Sequence, residues 1–184
     1  LLTSEFLPDT SDTWQEGPAL PTAAIGGCAV TLSDHQFLVI SFFGIREFDT
    51  SIEGPSSSNS WLPTTTWPAM KEKRAHPACA SIGYVVIVAG GTKNKAPTSK
   101  TEIIDVLTRT VRGGPEMLVP RAMFSLITVG EGAARRVLAL GGSSSAGHVD
   151  SVEEFTLAGI MWKKQPLSLA TKRAAYGATV LLHE

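Results

Sequence analysis

The chain has 184 residues, of which 43% are apolar, and its formal net charge is −1. This length predicts one domain, and the apolar share is sufficient for a core. Scattered Lys and Arg with almost no net charge argue against an electrostatic nucleic-acid binder. No apolar run approaches the roughly 18 residues that a membrane span needs. We therefore expect a folded domain that binds neither nucleic acid nor membrane.

The beginning of the chain bears on its location. It has no charged-then-apolar leader, and the sequence contains no Asn-x-Ser/Thr glycosylation acceptor. Both features favour an intracellular, cytoplasmic location. Because the first residue is Leu1 rather than Met, we expect a fragment or a processed form of a longer protein, and loss of a signal peptide is consistent with that start.

A block of residues recurs at a fixed distance along the chain. Gly90-Gly91 returns as Gly141-Gly142, Glu102 as Glu153, Ile104 as Phe155, Val111 as Trp162 and Pro115 as Pro166, each at an offset of 51 residues. A period near 50 that contains paired glycines and short apolar strands indicates propeller blades, whereas helical repeats are usually shorter. The prolines at 18, 68, 115 and 166 each begin a polar connector.

In chain order, the elements form an incomplete unit, three full units and a second incomplete unit. Residues 1–17 should contribute a third strand near 4–7 and a fourth near 13–16. The full units are residues 18–67, 68–115 and 116–166, and residues 167–184 should supply only a first strand. In the first full unit the glycine pair is read as Phe43-Gly44 and the acidic position as the stretch 46–49. The third unit is four residues longer through 130–134.

The second unit has the clearest strand pattern. It predicts strands near 78–82, 84–89, 102–107 and 109–113. The run 84–89 is β-branched almost throughout, which is typical of a strand buried on both faces. The glycine pair that ends it favours a position with positive φ or with close backbone approach.

These motifs resemble the kelch repeat: an apolar strand, Gly-Gly, a strand that begins with Glu, a Trp and then Pro-x-Met followed by Arg. The cleanest copy is residues 84–121. The resemblance implies an all-β, kelch-type β-propeller with blades of four antiparallel strands. It predicts three complete blades plus partial blades at both ends. We favour an arc of a larger ring over a closed four-bladed ring, and such an arc should self-associate through open blade edges.

The two cysteines lie 10 and 11 residues after their connector prolines. Cys28 and Cys79 are read as equivalent residues of the first strand, with Ser125 and Gly177 as counterparts. Because equivalent strands of adjacent blades rarely bring Cα atoms within the roughly 7 Å that a disulfide needs, we expect two reduced thiols that pack as small apolar groups.

Arginines at matching connector positions are the candidate binding residues. Arg74 and Arg121 lie six residues after their prolines, Arg173 lies seven after, and the first connector has Ala24. Three guanidiniums on one rim would suit carboxylates. Arginines of this connector hold acidic peptides in kelch adaptors of ubiquitin ligases, so the resemblance implies the same role for Arg74, Arg121 and Arg173. The alternative is a structural pair with the repeat's own glutamate, Glu102 or Glu153.

The predicted function is therefore a protein–protein interaction module that presents propeller loops to a partner. The resemblance implies a partner that offers an acidic peptide, as in substrate recognition by kelch adaptors. The alternative is a fragment of a kelch-type propeller enzyme. The two tyrosines and four histidines are scattered, so the sequence predicts no metal site, no cofactor and no catalytic residues.

Overall fold

The computed structural model describes residues 4–6, 12–22, 26–49, 61–63 and 65–178. The strands are β1 (Ser4–Phe6), β2 (Gln15–Gly17), β3 (Cys28–Thr31), β4 (Gln36–Ser41), β5 (Gly44–Asp49), β6 (Ala78–Ile82), β7 (Val85–Ala89), β8 (Thr92–Lys93), β9 (Ala96–Pro97), β10 (Thr101–Asp105), β11 (Thr110–Gly113), β12 (Ser125–Val129), β13 (Arg136–Leu140), β14 (Ser143–Ser144), β15 (Gly147–His148), β16 (Ser151–Thr156) and β17 (Met161–Ser168). A 3-10 turn spans Gly132–Ala134. The architecture of the described residues is all-β, as predicted.

The second unit forms a sheet of four antiparallel strands in the order β11-β10-β7-β6. Its strands agree with the predicted ranges to within two residues at each end. The two-residue period of a strand places alternate side chains of β7 on opposite faces of the sheet. Val86 and Val88 pack in a cluster with the first blade, while Ile87 and Ala89 pack in a cluster with the third. All four side chains are fully buried, which explains the unbroken apolar run.

The third unit repeats this sheet in the order β12-β13-β16-β17. Its four additional residues lie in the connection between β12 and β13, where the 3-10 turn lengthens what is a short turn in the second blade. An antiparallel hairpin, β14–β15, follows the glycine pair, and β8–β9 forms the matching hairpin in the second blade.

The first full unit forms a sheet of three strands, β3-β4-β5. Trp61 continues this sheet as a single bridge to Phe48, at the place where Trp162 pairs with Phe155 in the third blade. Residues 50–60 and 64 lie outside the described residues. The predicted strands of residues 1–17 are present as the antiparallel pair β1–β2. Of the predicted strand after the last connector, residues 179–184 lie outside the described residues.

Cys28 and Cys79 form a disulfide across the innermost strands of the first two blades, with Cα atoms 5.9 Å apart. The prediction of two reduced thiols was therefore wrong. Its premise of equivalent positions fails by one residue: Cys28 follows the connector residue Gly26 by two, while Cys79 follows the matching residue His76 by three. Because successive side chains alternate in direction along a strand, this offset turns one thiol toward the other. At equivalent positions both would point the same way around the blades.

None of the helical segments among the described residues is long and apolar enough to cross a membrane.

Candidate functional site

The connectors and the loops that follow the glycine pairs lie on one face of the blades. We define the connector face as the connectors 67–77, 114–124 and 166–176 together with the loops 90–100 and 141–150. The glycine pairs join the two kinds of segment, since the Gly91 amide donates to the carbonyl of Arg121 and the Gly142 amide to that of Arg173, each at 2.9 Å.

Both expectations for the glycine pair are confirmed. Gly90 and Gly91 have φ of +60° and +98°, in the region that L side chains rarely adopt. A Cβ at Gly90 would lie 2.4 Å from the carbonyl oxygen of Arg121, and one at Gly91 would lie 2.7 Å from that of Ala75. The pair is therefore required both by backbone conformation and by the close approach of two connectors.

A second set of left-handed residues lies on the connectors themselves. Gly26, His76, Met123 and Ala175 have φ between 53° and 59°. Their backbones form a chain of hydrogen bonds from blade to blade: His76 N–H donates to Gly26 at 2.7 Å, Met123 to His76 at 3.4 Å, and Ala175 to Met123 at 2.8 Å. Only one of the four is glycine, so the sequence carries no signal for this chain of hydrogen bonds.

The predicted arginines occupy matching positions, each two residues before one of these left-handed residues. Arg121 forms an ion pair with Glu153, with Nη2 2.6 Å from the carboxylate, and Arg74 forms one with Glu102 at 3.0 Å. Arg74 is 2% exposed and Arg121 is 0% exposed. The expectation that three guanidiniums face solvent on one rim was therefore wrong for Arg74 and Arg121. Their pairing with the glutamates of their own repeats, the alternative given by the sequence, is confirmed.

These buried pairs fasten each connector to the third strand of its blade. Both oxygens of Glu153 also accept connector backbone amides, those of Leu118 at 2.7 Å and Val119 at 2.9 Å. Glu102 accepts the Lys71 amide at 2.6 Å. A carboxylate that is satisfied in this way can remain buried, because each hydrogen bond offsets part of its desolvation cost.

The two arginines differ in how completely they are satisfied. Arg121 donates to the carbonyls of Gly141 and Ser151, to the Ser151 hydroxyl and to Glu153. Arg74 donates to the Val88 carbonyl at 3.1 Å. Its Nη1 lies close to Glu102 without hydrogen-bond alignment, and its Nε has no partner among the described residues. Burial lowers the pKa of both arginines, while the neighbouring glutamates oppose that shift.

Arg173 is the exposed member of the set. Its guanidinium lies 5.9 Å from the centroid of the Tyr176 ring, and its Nε donates to the carbonyl of Thr171. No acidic side chain among the described residues forms an ion pair with it. Arg173 is the predicted binding residue that is accessible to a partner, and its role in binding stays a prediction.

The first blade departs from this pattern, and strand register reveals how. Arg46 pairs with Val39 as Glu102 pairs with Val88, so a cation occupies the acidic position. Arg46 donates to the hydroxyl of Thr22 at 3.2 Å and to the carbonyl of Ile45. The connector changes with it: Pro21 stands at the place of Lys71, so no backbone amide is available there for a carboxylate.

The glycine pair predicted for this blade was therefore misplaced. Glu47 lies one residue past the acidic position, where it accepts the Trp67 indole N–H at 2.9 Å and contacts Arg109 of the second blade at 3.3 Å. The register counterparts of the glycine pair are Ser41 and Phe42 rather than Phe43-Gly44. The sequence does carry a signal for this shift, because the segment between the apolar strand and Phe48 is short.

The connector face carries a surplus of exposed positive charge. Lys93 pairs with Glu72 and Lys100 pairs with Glu116. Further cations on this face have no ion pair among the described residues: Lys71, Lys73, Lys95, Lys172 and Arg173. The chain as a whole has a net charge of −1, so this surplus is local.

The described residues contain no group of three or more His, Cys, Asp or Glu side chains able to hold a metal ion.

The blades, their glycine pairs and their buried Arg–Glu pairs define a repeat protein of the β-propeller type. Residues 73–118 match the family model of the Kelch motif, which supports the kelch-repeat interpretation of the repeats. The match covers the second blade and the first residues of the connector after it. No curated protein matches the chain. The Kelch motif places the chain in the general class of protein–protein interaction modules.

Proposed function

We propose that this chain binds a protein partner through its connector face and that the partner supplies an acidic segment. The observation that supports this is the cluster of exposed cations without ion pairs on that face. Exposed charges of one sign attract a complementary partner and set its orientation, while contributing less to affinity than a buried apolar contact does.

The residues that contact the partner are the exposed lysines and Arg173, and the buried Arg74 and Arg121 do not contact it. Lys71, Lys95 and Arg173 lie on connector or loop segments whose backbones the glycine pairs and the buried ion pairs hold in place. The buried arginines contribute indirectly, because they position the segments that carry the exposed cations. Substrate recognition within a ubiquitin ligase is the biological role that the kelch resemblance implies for such a surface.

The experiment is selection of a random peptide library displayed on phage against the purified chain. We expect the selected peptides to be rich in Asp and Glu, and their binding to weaken as salt rises, because exposed charges are screened. Lys71→Glu with Lys95→Glu should abolish binding. The matched control is Lys163→Glu with Lys164→Glu, which makes the same charge change on the outer strand β17.

Recovery of peptides without acidic residues would contradict the proposal. So would equal loss of binding in both double variants, since that would show an effect of net charge rather than of the connector face. Thermal melts of all variants verify that the fold is retained.

A further inference from the structure

The first blade leaves a notch in the connector face beside the second connector. Phe42, Phe43 and Arg46 line it from the first blade, and Trp67, Met70 and Lys73 line it from the connector. The cavity measures about 280 Å³. Phe42 and Phe43 are 43% and 52% exposed, with their rings in edge-to-face contact at 5.5 Å between centroids.

The other blades cover the corresponding place with their own chain. In the second blade, the carbonyl of Ser99 accepts the Met117 amide at 2.9 Å and that of Thr98 accepts the Arg121 amide at 3.2 Å. In the third blade, the carbonyl of Asp150 accepts the Leu169 amide at 2.8 Å. A loop segment therefore lies along the following connector, with its carbonyls directed at connector amides.

The described part of the first blade has no such segment. Strands β4 and β5 are joined through a tight turn at Phe42-Phe43, whereas ten or eleven residues make this connection in the other blades. The amides that a loop would satisfy are those of Met70 and Arg74, which match Met117 and Arg121. Neither has a hydrogen-bond partner among the described residues. Of these two, Met70 lines the notch, and the matching amides of Met117 and Leu169 are used internally in the later connectors.

The charges of the notch are positive. Arg46 occupies the position that is glutamate in the other blades, and neither Arg46 nor Lys73 has an acidic partner among the described residues. Aromatic rings beside cations suit a ligand that offers an apolar side chain next to carboxylates, since the apolar group gains burial while the charges remain paired.

We propose that an extended peptide segment of a protein partner occupies this notch and takes the place of the missing loop. A main-chain carbonyl of the segment accepts from the Met70 amide, a leucine-like side chain packs on Phe42 and Phe43, and adjacent carboxylates bind Arg46 and Lys73. The inference rests on the proposed binding of acidic segments, and it adds the position of the ligand and the requirement for an apolar residue.

The test uses two fluorescein-labelled synthetic peptides, Gly-Asp-Glu-Leu-Glu-Gly and the same peptide with Gly in place of Leu. We expect the leucine peptide to bind about tenfold more tightly, as burial of one such side chain allows. Phe42→Ser with Phe43→Ser should remove that advantage. Arg46→Gln with Lys73→Gln should weaken both peptides. The matched control is Leu118→Ser, which changes an exposed leucine elsewhere on the connector face and should leave both affinities unchanged.

Hydrogen exchange provides a readout that needs no variant. Addition of the leucine peptide should slow exchange of the Met70 amide and leave that of the Met117 amide unchanged, because Met117 already donates to Ser99. Equal affinities for the two peptides, or exchange at Met70 that does not change at saturation, would overturn the notch assignment. If Lys71→Glu with Lys95→Glu still abolished binding in that case, the proposed function would stand. If neither peptide bound and the phage selection recovered no acidic sequences, the proposed function itself would fail.

Discussion

Arg121 and Glu153 form a fully buried ion pair, with the guanidinium nitrogen 2.6 Å from the carboxylate oxygen. The pair joins a connector to the third strand of its blade, and the same carboxylate holds the amides of Leu118 and Val119. Pairs of this kind require both partners, because removal of one leaves the other as an uncompensated charge in a low-dielectric interior.

Arg121→Ala should lower the free energy of unfolding by about 3–5 kcal/mol, the range for breaking a buried pair. Arg74→Ala should cost less, because Arg74 makes fewer hydrogen bonds and already leaves its Nε without a partner. Urea denaturation of both variants measures the difference. Arg173→Ala is the exposed control and should change stability little. A small effect of Arg121→Ala would show that the pair is not structural and would reopen its assignment to binding.

Reduction of the Cys28–Cys79 bond should destabilise the chain. The bond closes a loop across a sequence separation of 51 residues. The loop-closure entropy predicts a loss of about 4 kcal/mol. Thermal melts with and without dithiothreitol measure it, with the Cys28→Ala, Cys79→Ala double variant as a control that dithiothreitol should not affect. Alkylation of both thiols in the native, unreduced chain would contradict the disulfide.

Two glycine variants separate conformational strain from steric conflict. Gly83 and Gly90 have nearly equal φ, +57° and +60°, but a Cβ at Gly83 meets nothing within 4 Å. Gly83→Ala should therefore cost only the left-handed penalty of about 1–2 kcal/mol. Gly90→Ala should cost distinctly more, because its Cβ would meet the Arg121 carbonyl. Denaturant unfolding compares the two variants, and equal losses would show that the connector yields without cost.

Trp162 links the third blade to the second. Its indole N–H donates to the buried hydroxyl of Thr101 at 3.1 Å. Trp162→Phe should lose this bond and leave the hydroxyl unsatisfied, at a cost of about 1–3 kcal/mol beyond the change in packing. A double-mutant cycle with Thr101→Val isolates the hydrogen bond. Strictly additive losses would show that the two residues contribute independently.

The strands of the second blade and the glycine pairs could be predicted from the sequence, because their signals are local. An unbroken β-branched run indicates a strand buried on two faces, and Val86 with Ile87 shows why: each faces a different neighbouring blade. A glycine pair at fixed spacing indicates a backbone position where a Cβ is not tolerated. The pairing of connector arginines with Glu102 and Glu153 was also among the sequence alternatives, since both recur with the repeat.

The features that only the tertiary structure decided depend on strand registers, which differ between blades by a single residue. Cys28 and Cys79 have nearly the same spacing from their prolines, yet strand pairing offsets them by one position and turns their thiols together. The same kind of offset places Arg46, rather than Glu47, at the acidic position of the first blade. The burial of Arg74 and Arg121 is likewise a tertiary feature, since each lies beside a buried glutamate on the third strand of its blade. The sequence determined the repeat because a repeat is carried by residue types at fixed spacing. The direction and exposure of side chains belong to the tertiary structure, because a shift of one residue along a strand reverses them.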